Sequence, residues 1–529
     1  MNPERTGRVD PLALAAAAAK GMGLAYHASL APDRMAVRSR FGERTFGEAN
    51  ANANRLARVL RRAGVGPGVG VALLARNRPE FVETLSACFR CGGRMTPINW
   101  HLTPDEVAYI VDDCEAVAIV ADVQFAPAAL RAAEASPRVT LRIAVGGAIP
   151  GFADWDTLVA AEDGSDLSDP VIGQRMLYTS GTTGRPKGVW RKPETTPGAL
   201  LLRCRETAAC DPANDTALVT GPLYHAAPLG LNLLVPFGAG VGMVLMDKWD
   251  AEETLRLIDR HRATHTHMVA TMFHRILQLP PEVRARYDVS SMRWVCHGAA
   301  PTPVHVKRAM IEAWGPVLYE YYAATEGGTF FVDSHEWLRK PGTVGRTVEG
   351  TVAKVLDENG REVPARTTGT IYFLAPENRF EYFKAPEKTT AAYRGDYFSM
   401  GDMGYLDEDG YLFLTGRSAE VIIAGGVNIY PQEIDDVLSQ HPAVYEVCTV
   451  GAPHDEWGET PVAVVEPHAE LEAGDALAQE LLAFARERLP DYKRPRAIHF
   501  TTGLPRLPTG KILRYKVRDP FWEGRERKI

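Results

Sequence analysis

Short apolar runs alternate with longer amphipathic stretches along most of this chain. The runs GVALLA, AVAIVA, GMVLM and RWVCHG are rich in apolar and β-branched residues, whereas TFGEANANANRLARVLRRAG spaces its apolar residues as an amphipathic helix does. Apolar runs of this length are typical of strands that are buried on both faces of a parallel sheet. The pattern therefore predicts an α/β fold in which mostly parallel strands alternate with helices.

The pattern changes near GYLDEDGYLFLTGRSAEVI, where polar and apolar residues alternate around the dipeptide Asp409-Gly410. An Asp-Gly pair between alternating segments predicts a β-hairpin. The rest of the chain has the pattern of a helix, strands and a second helix, and it ends in a basic segment. We therefore expect a large N-terminal α/β domain with several subdomains at 1–416 and a small α+β domain at 417–529.

The apolar segments do not have the pattern of membrane spans. The longest uncharged run, from Leu229 to Met246, contains Asn232, Pro236 and four glycines, and this predicts a helix, a turn and a strand. The N-terminal stretch LALAAAAAK has a short apolar run closed by Lys20, so we expect no export signal. The prediction is a cytoplasmic protein without a transmembrane segment.

Charge and cysteine content point to a small-molecule substrate. With 59 Lys and Arg against 66 Asp and Glu, the chain has no basic excess to neutralise nucleic acid, so we expect no nucleic-acid partner. Its seven cysteines, an odd number, suit a reducing compartment. Cys88 and Cys91 form a lone CxxC without a second pair at zinc spacing, which favours packed free thiols over a metal or redox half-site.

The stretch YTSGTTGRPKGV, from Tyr178 to Val189, combines three glycines with several hydroxyl groups and two cations. The backbone N–H groups of SGTTG are unhindered by large side chains, and such a nest binds phosphate oxygens. Lys187 adds a positive charge for a β- or γ-phosphate, although the stretch lacks the spacing of a Walker loop. The alternative is a flexible surface turn.

This loop resembles the signature loop of the adenylate-forming superfamily, which includes acyl-CoA synthetases, luciferases and peptide-synthetase adenylation domains. Further motifs resemble those of the family in the same order: PLYHAAP, HGAAP, YYAATEGG, YFSMGDMGYLDEDGYLFLTGR, AEVIIAGGVNIYPQEID and LPRLPTGKILR. The resemblance implies an ATP- and magnesium-dependent, AMP-forming ligase. Such an enzyme adenylates a carboxylic acid, passes the acyl group to coenzyme A, and releases AMP and pyrophosphate. A homodimer is compatible with the sequence.

The resemblance also implies a nucleotide site. In it, Tyr322 would stack on adenine, Asp402 would hold both ribose hydroxyls, and Arg417 would add a ribose or phosphate contact. The residues that the resemblance assigns to nucleotide binding are Thr179, Ser180, Gly181, Thr182, Thr183, Gly184, Lys187, Gly298, Ala299, Ala300, Tyr322, Ala323, Asp402 and Arg417.

Four residues match catalytic positions of the family. Glu326 would bind magnesium, which prefers carboxylate oxygen, and Thr325 beside it would contact the α-phosphate. Lys511 would reach from a mobile small domain to the substrate carboxylate and the α-phosphate, where charge accumulates in the transition state. His225 would lie beside the substrate carboxylate, and the alternative for it is an interior histidine with satisfied hydrogen bonds.

The chain departs from the family at the hinge. In the family the small domain rotates after adenylation to admit coenzyme A, and the hinge is usually an Asp or Lys two residues after the arginine. Here that position is Ala419. The departure leaves room for another acceptor, namely an amine, a carrier-protein thiol, or nitrite activation for diazotisation. A catalytically idle nucleotide-binding protein is a third alternative, against which the complete motif set argues.

Other departures concern the acid pocket. Ala323 replaces a common glycine, and His297 replaces a common serine or glycine, so both would narrow or polarise that pocket without naming an acid. The segment THTHMVATMFH contains three histidines, His265, His267 and His274. The two-residue spacing of His265 and His267 places both of them on one face of a predicted strand. Without further recognisable ligands, we expect these histidines to pack near the acyl pocket and not to bind a metal.

Overall fold

The computed structural model describes residues 9–179, 186–191, 198–375, 379–507 and 510–524. The chain divides into two compact units that interleave in sequence. Unit 1 comprises Met1–Met268, Leu279–Cys296 and Glu377–Ala391, and unit 2 comprises Val269–Gln278, His297–Pro376 and Ala392–Ile529. The predicted boundary between 416 and 417 separates two domains that we expect to move independently, and it stays a prediction.

The helices of the described residues lie at intervals along both units. They are α1 Pro11–Ala18, α2 Gly23–Leu30, α3 Phe46–Arg62, α4 Pro79–Cys91, α5 Pro104–Asp113, α6 Ala126–Ala135, α7 Trp155–Ala160, α8 Ala199–Ala208, α9 Val235–Gly238, α10 Ala251–His261, α11 Ala270–Gln278, α12 Pro281–Arg284, α13 Val304–Trp314, α14 Ser334–Arg339, α15 Pro386–Ala392, α16 Pro431–Leu438, α17 Asp475–Arg488 and α18 Arg514–Arg518.

The strands of the described residues are short in unit 1 and longer near the end of the chain. They are β1 Met35–Ser39, β2 Gly42–Thr45, β3 Gly70–Leu74, β4 Arg94–Pro97, β5 Ala116–Asp122, β6 Leu141–Val145, β7 Ala153–Asp154, β8 Gln174–Arg175, β9 Leu177–Thr179, β10 Lys187–Trp190, β11 Thr216–Val219, β12 Gly242–Leu245, β13 His265–Met268, β14 Trp294–His297, β15 Leu318–Ala324, β16 Gly327–Asp333, β17 Arg346–Thr347, β18 Ala353–Leu356, β19 Gly369–Leu374, β20 Glu381–Tyr382, β21 Tyr393–Arg394, β22 Tyr397–Phe398, β23 Asp402–Leu406, β24 Leu412–Arg417, β25 Ile422–Ala424, β26 Val427–Ile429, β27 Val444–His454, β28 Gly458–Pro467 and β29 Ala497–Phe500.

The first sheet of unit 1 is parallel throughout, as the apolar runs predict. Its strand order is β7-β6-β5-β3-β4-β8. All residues of β3 are buried: Val71 and Leu73 belong to one apolar core, and Ala72 and Leu74 belong to another. Because successive side chains of a strand point to opposite faces, both faces of this sheet are covered.

A second sheet of unit 1 has the order β14-β13-β11-β12-β1-β2. Its pairs β1–β12, β11–β12 and β11–β13 are parallel, whereas β1–β2 is antiparallel. The prediction of mostly parallel sheets in the N-terminal part of the chain is therefore confirmed.

Helix α3 shows why the amphipathic stretch folds as predicted. The Thr45 hydroxyl accepts a hydrogen bond from the Glu48 N–H, and the Glu48 carboxylate accepts one from the Thr45 N–H, so a capping box begins the helix. Leu56 and Leu60, four residues apart, share one helix face and are fully buried. The same periodicity that indicated a helix thus selects the face that packs on the core.

The long uncharged run is folded inside unit 1. It forms a π-helical segment at Pro228–Leu234, then α9, a turn and β12, which confirms the predicted helix, turn and strand. Across the described ranges of the chain, no helix is both long enough and apolar enough to cross a membrane.

The cysteines are free thiols, as predicted. Cys88 and Cys91 are buried on α4, one turn apart. Burial raises the pKa of both thiols above the ordinary value, so they remain protonated and pack as small apolar groups.

Unit 2 contains antiparallel sheets. Strands β15, β16 and β17 form an antiparallel meander, and β21-β22-β19-β23-β24 form a second sheet, with β18 paired to β19. The β23–β24 hairpin turns at Asp409-Gly410, where Gly410 adopts a φ of 78° and the Asp407 N–H donates to the Tyr411 carbonyl. The hairpin predicted from this dipeptide is confirmed.

The end of unit 2 forms a third sheet, β26-β25-β28-β27, to which β29 adds in parallel beside β28. Helices α16 and α17 pack on it through an apolar core that includes Ile434, Leu438 and Leu481. The predicted order of helix, strands and helix is confirmed.

Candidate active site

Unit 2 contains a cavity of about 300 Å³. It is lined by β15 and the loop that follows β14, by the ends of the β23–β24 hairpin, and by residues next to α18. Seven of the residues predicted from the sequence line this cavity: Ala299, Ala300, Tyr322, Ala323, Asp402, Arg417 and Lys511.

The acidic group at the centre of this set is Asp402, the first residue of β23. Its cross-strand partner is Arg417, the last residue of β24, and the Arg417 Nε atom donates to Asp402 Oδ1 at 2.8 Å. Burial alone would lower the pKa of Arg417, but the carboxylates of Asp402 and Glu420 raise it above the ordinary value. The hairpin register therefore fixes a charged pair at its open end.

Tyr322 completes this arrangement from β15. Its hydroxyl donates to the second oxygen of Asp402, Oδ2, at 2.7 Å. Burial raises the pKa of Tyr322 well above the ordinary value, and the charge of Asp402 adds to this, so the hydroxyl keeps its proton. A carboxylate can accept about four hydrogen bonds, so Asp402 retains acceptor sites for a ligand in addition to those that Tyr322 and Arg417 occupy.

Thr325 and Glu326 form the two-residue turn between β15 and β16, whose flanking residues Ala324 and Gly327 are paired. Glycine at 328 is required after this turn. Gly328 has a φ of 74°, and a Cβ atom there would lie 2.6 Å from the Phe373 ring. The two residues are half-buried and directly follow Ala324, which lines the cavity.

The loop after β14 approaches β15 closely. A Cβ atom on Gly298 would lie 2.4 Å from the Tyr321 carbonyl oxygen, so only glycine fits. Ala299 adopts a φ of 67°, a left-handed conformation that costs a non-glycine residue free energy. This loop brings the backbone of Ala299 and Ala300 to the cavity wall.

Lys511 lines the same cavity from the C-terminal end of the chain. Burial lowers the pKa of Lys511, Arg417 lowers it further, and the carboxylates of Glu420 and Asp402 oppose the shift. The preceding Gly510 has a φ of 86°, and a Cβ atom there would lie 2.3 Å from Thr271 Oγ1 of α11. The glycine of PTGKILR thus allows the close approach of this segment to α11.

The phosphate-loop residues belong to unit 1. Thr179 at the end of β9 pairs with Lys187 at the start of β10, in a small antiparallel sheet ordered β20-β10-β9. The Lys187 Nζ atom lies 5.1 Å from the centre of the Tyr382 ring. The predicted residues between these strands, Ser180, Gly181, Thr182, Thr183 and Gly184, lie outside the described residues.

His225 lies in an aromatic cluster of unit 1. Its ring centre is 4.4 Å from that of Tyr224, whose ring in turn meets Trp100 edge-on. Burial, aided by the neighbouring His101, lowers the pKa of His225 to about 4, so the imidazole is neutral near pH 7. In the described part of the chain, neither His225 Nε2 nor the Tyr224 hydroxyl has a hydrogen-bond partner, although both atoms are buried.

The histidines of THTHMVATMFH have separate surroundings. His265 and His267 are buried in β13, and His265 hydrogen-bonds Thr264 Oγ1 and the Ala208 carbonyl. His274 belongs to unit 2, lines the cavity, and meets Tyr445 edge-on. Within the described ranges, no group of three metal-binding side chains was found.

A family model described as AMP-binding enzyme matches residues 24–382, and one described as AMP-binding enzyme C-terminal domain matches residues 433–511. The chain belongs to the AMP-binding enzyme family. The adenylate-forming family predicted from the motifs is therefore confirmed.

Similar AMP-binding enzymes span nearly the whole chain. An indoleacetate–CoA ligase of Aromatoleum aromaticum is 31% identical over 500 residues, covering 93% of this chain and 96% of that protein. A feruloyl-CoA synthase of Amycolatopsis sp. is 33% identical over 502 residues, covering 93% and 97%. The crystal structure of the anthranilate CoA ligase AuaEII with anthranoyl-AMP matches with a TM-score of 0.84, 26% identity, and coverage of 95% and 96%.

The sequence analysis missed two groups of charged residues that the structure of this AMP-binding enzyme brings together. Arg514 bonds Glu420 and Asp435 near Lys511, although only its place in GKILR could have drawn attention to it. Lys307 and Glu320 form a buried ion pair of 2.6 Å, for which the sequence carries no signal.

His297 lies behind the cavity wall. It is fully buried, its Nδ1 atom lies 3.3 Å from Thr302 Oγ1, and its Nε2 atom lies 3.9 Å from Glu320 Oε2. Its ring also meets Phe273 edge-on. Ala323 lines the cavity, whereas His297 does not.

Proposed function

We propose that the chain is an ATP-dependent, AMP-forming acid–CoA ligase. It adenylates a carboxylic acid, transfers the acyl group to coenzyme A, and releases AMP and pyrophosphate. The observation that carries this proposal is the cavity of unit 2, in which Lys511 accompanies the hydrogen-bonded set Tyr322–Asp402–Arg417.

The nucleoside is proposed to bind in this cavity. The remaining acceptor sites of Asp402 suit the two ribose hydroxyls, and Arg417 suits a ribose or phosphate oxygen. Tyr322 offers an aromatic ring for adenine, while Ala299 and Ala300 offer backbone groups at the cavity wall. The set of residues that we propose for nucleoside binding also includes Gly298 and Ala323.

The triphosphate is proposed to bind through hydroxyl groups, backbone N–H groups and one lysine. Thr325 follows the strand that lines the cavity, which supports a contact with the α-phosphate. Lys187 supplies a point charge for the β- or γ-phosphate. The proposed phosphate loop comprises Thr179, Ser180, Gly181, Thr182, Thr183 and Gly184.

Glu326 is proposed to hold Mg²⁺. The fit rests on its chemistry and its place, because a carboxylate is a hard oxygen donor and the turn at Thr325–Glu326 presents it next to the strand that lines the cavity. The ion would neutralise part of the charge of the phosphate groups when bound.

In the first half-reaction, a carboxylate oxygen of the acid attacks the α-phosphorus, and the bond to pyrophosphate breaks. Lys511 is proposed to stabilise the charge that accumulates on the α-phosphate oxygens. The lysine must be protonated to do so, and the carboxylates of Asp402 and Glu420 support that form against the effect of burial. Buried charge near the reacting atoms acts in a weakly screened environment, which strengthens its effect.

In the second half-reaction, the thiol of coenzyme A attacks the acyl carbon, and AMP leaves. We propose that residues 417–529 act as a mobile lid that carries Lys511, and that residues 1–416 hold ATP and the acid. Rotation of such a lid would withdraw the lysine and admit the thiol.

His225 is proposed to contact the acid. Because its pKa is about 4, the ring is neutral near pH 7 and would donate a hydrogen bond to the substrate carboxylate instead of forming an ion pair. The buried Tyr224 hydroxyl beside it offers a second hydrogen-bonding group. The named relatives activate acids as different as indoleacetate and ferulate, so a broad panel of acids is needed.

The test is pyrophosphate release on adding ATP, Mg²⁺ and a panel of aromatic, aliphatic and dicarboxylic acids, followed by mass detection of the thioester. We expect at least one acid to give acid-dependent pyrophosphate and a coenzyme A thioester. If no acid gives either product, the proposal is wrong.

A second candidate keeps the adenylation and changes the acceptor. It is favoured by the similarity to the amide bond synthetase McbA of Marinactinospora thermotolerans, with a TM-score of 0.80 and 25% identity, covering 95% of this chain and 99% of that one. Ala419 at the usual hinge position is also consistent with it. Turnover that does not need coenzyme A, but needs an amine, a carrier-protein thiol or nitrite, would favour this candidate.

We also propose a cytoplasmic location, which the free cysteines support because thiols persist in a reducing compartment. Cell fractionation tests the location. The homodimer stays a prediction, for which light scattering coupled to size-exclusion chromatography gives the mass of the assembly.

A further inference from the structure

Arg514 is a largely buried arginine close to the proposed catalytic lysine. It is the first residue of α18, three positions after Lys511, and its side chain is only 14% exposed. Its Nε atom donates to Glu420 Oε2 at 3.2 Å, and its Nη2 atom donates to Asp435 Oδ2 at 2.9 Å. Its Nη1 atom donates to the Thr449 carbonyl oxygen.

The partners of Arg514 come from three separate parts of unit 2. Glu420 follows β24, Asp435 lies on α16, and Thr449 lies on β27. The second oxygen of Asp435, Oδ1, accepts a hydrogen bond from the Thr449 N–H at 2.6 Å. Arg514, Asp435 and Thr449 are therefore joined in a ring of hydrogen bonds. A guanidinium group holds such partners in a fixed planar geometry, which a flexible lysine would not do.

Glu420 connects this network to the cavity. It lines the cavity together with Arg417, Lys511 and Arg514. Its negative charge also favours the protonated form of all three cations. Glu420 directly follows Ala419, the position at which the chain lacks the charged hinge residue that the family resemblance leads one to expect.

We propose that Arg514 and Glu420 are positioning residues that hold Lys511 in the nucleotide cavity during adenylation. Their ion pair joins the segment just after Arg417 to the start of α18, three residues after Lys511, and thereby fixes the place of the lysine within the proposed lid. The inference rests on the proposed function, because it concerns the half-reaction that needs Lys511.

A positioning role and a purely structural role predict different results in a double-mutant cycle. If the pair acts through Lys511, breaking it costs rate only while the lysine is present. If the pair merely stabilises the fold, breaking it costs the same factor with or without the lysine. The variants are Glu420→Gln, which keeps the shape of the side chain, and Arg514→Lys, which keeps the charge but not the planar fork.

The full-length protein is used, with the acid that gives the fastest pyrophosphate release. In the unmodified background, we expect each variant to slow single-turnover adenylation by about ten- to a hundredfold, the scale of a misplaced catalytic group. In the Lys511→Ala background, the same change should slow adenylation by less than about twofold. Thioester formation from presynthesised acyl-adenylate should stay within about twofold of normal in both variants.

The matched control is Arg496→Gln, which breaks an ion pair with Asp491, 3.2 Å apart, in the same C-terminal segment. It should leave both half-reactions unchanged. Equal losses in the two backgrounds, or equal losses in the two half-reactions, would overturn the inference while leaving the proposed function intact. An unmodified protein that releases no pyrophosphate with any acid would overturn both.

Discussion

Asp402 and Arg417 are cross-strand partners at the open end of the β23–β24 hairpin, with Arg417 Nε 2.8 Å from Asp402 Oδ1. The Asp409-Gly410 turn sets the register of the hairpin next to the turn. An irregularity in the pairing between Met403 and Gly404 then shifts the register by one residue, so that Asp402 faces Arg417. Tyr322 then adds a hydrogen bond from another sheet. Local turn chemistry and a tertiary contact together build this part of the site.

Tyr322 allows the ring and the hydroxyl to be tested separately. Tyr322→Phe keeps the ring and loses the bond to Asp402, whereas Tyr322→Ala loses both. If stacking on adenine is the main role, we expect Tyr322→Ala to raise the KM for ATP by at least about tenfold, since stacking on a base is worth about 1–3 kcal/mol. Tyr322→Phe should raise the KM by less than about threefold. Equal effects of the two variants, measured by steady-state kinetics, would assign the role to the hydroxyl.

Lys511→Ala should separate the two half-reactions. We expect it to keep the fold and nearly all ATP affinity while slowing acyl-adenylate formation by at least about a hundredfold, the scale for losing one charge contact in a transition state. Transfer from presynthesised acyl-adenylate to coenzyme A should proceed at close to the normal rate. Single-turnover pyrophosphate release and thioester formation measure the two steps. Equal loss in both would mean that Lys511 only supports the structure.

Breaking the buried ion pair Lys307–Glu320 should lower the free energy of unfolding strongly, whereas replacing both residues together should lower it much less. Both side chains are buried, with Nζ 2.6 Å from Oε2. Lys307→Met leaves the Glu320 charge buried and unpaired, so we expect a loss of about 3–5 kcal/mol in the free energy of unfolding. Adding Glu320→Gln should recover much of that loss. Urea unfolding monitored by circular dichroism gives the comparison.

The matched control for this pair is Arg366–Glu408, an ion pair of 2.8 Å whose side chains are both more than 60% exposed. Solvent screens such a pair, so Glu408→Gln should change the unfolding midpoint little. A double variant of Lys307 and Glu320 that is no more stable than Lys307→Met would show that the charge of Glu320 is not the source of the loss.

Gly328→Ala should damage the turn that presents Thr325 and Glu326. The substitution places a Cβ atom 2.6 Å from the buried Phe373 ring at a φ of 74°. Gly315→Ala is the control, because Gly315 has a φ of 85° but has no atom within 4 Å of its Cβ position among the described residues. Both variants place a non-glycine residue at a positive φ, which costs on the order of 1–3 kcal/mol. We expect only Gly328→Ala to lose more than this, and to lose adenylation activity, in thermal unfolding and pyrophosphate assays.

His267 should make stability depend on pH in the mildly acidic range. Burial lowers its pKa to about 3, below the value of about 6.5 expected in the unfolded chain. Its stabilising contribution is therefore fully present above about pH 6.5 and is lost as the pH falls toward 3, because only the unfolded state takes up the proton. Between pH 7 and pH 5 this loss amounts to about 2 kcal/mol.

The measurement is urea unfolding at pH 7 and pH 5. His267→Gln should lose about 2 kcal/mol less than the unmodified chain between these two values, and the variant of exposed His335, His335→Gln, controls for replacing a histidine. Identical pH dependence of the His267→Gln variant and the unmodified chain would contradict the prediction.

Much of the fold follows from local patterns. The apolar runs predicted parallel strands, the amphipathic stretch that begins at Thr45 predicted helix α3, and Asp409-Gly410 predicted a hairpin. Each of these signals acts over a few residues, so it can be recognised in the sequence alone. The interleaving of the two units could not be predicted, because no local signal marks that Val269–Gln278 belongs with the later part of the chain.

The motifs also determined the family and the chemical identity of the proposed site residues, because phosphate loops, turn glycines and a lysine after Pro-Thr-Gly are features of the sequence itself. Only the tertiary structure decided their partners. Arg514 meets Glu420 across 94 positions of the chain and Asp435 across 79. Burial and charge then set the pKa values of Lys511 and His225. Periodicity and turn chemistry are local, whereas ion pairing and desolvation depend on neighbours that only folding brings together.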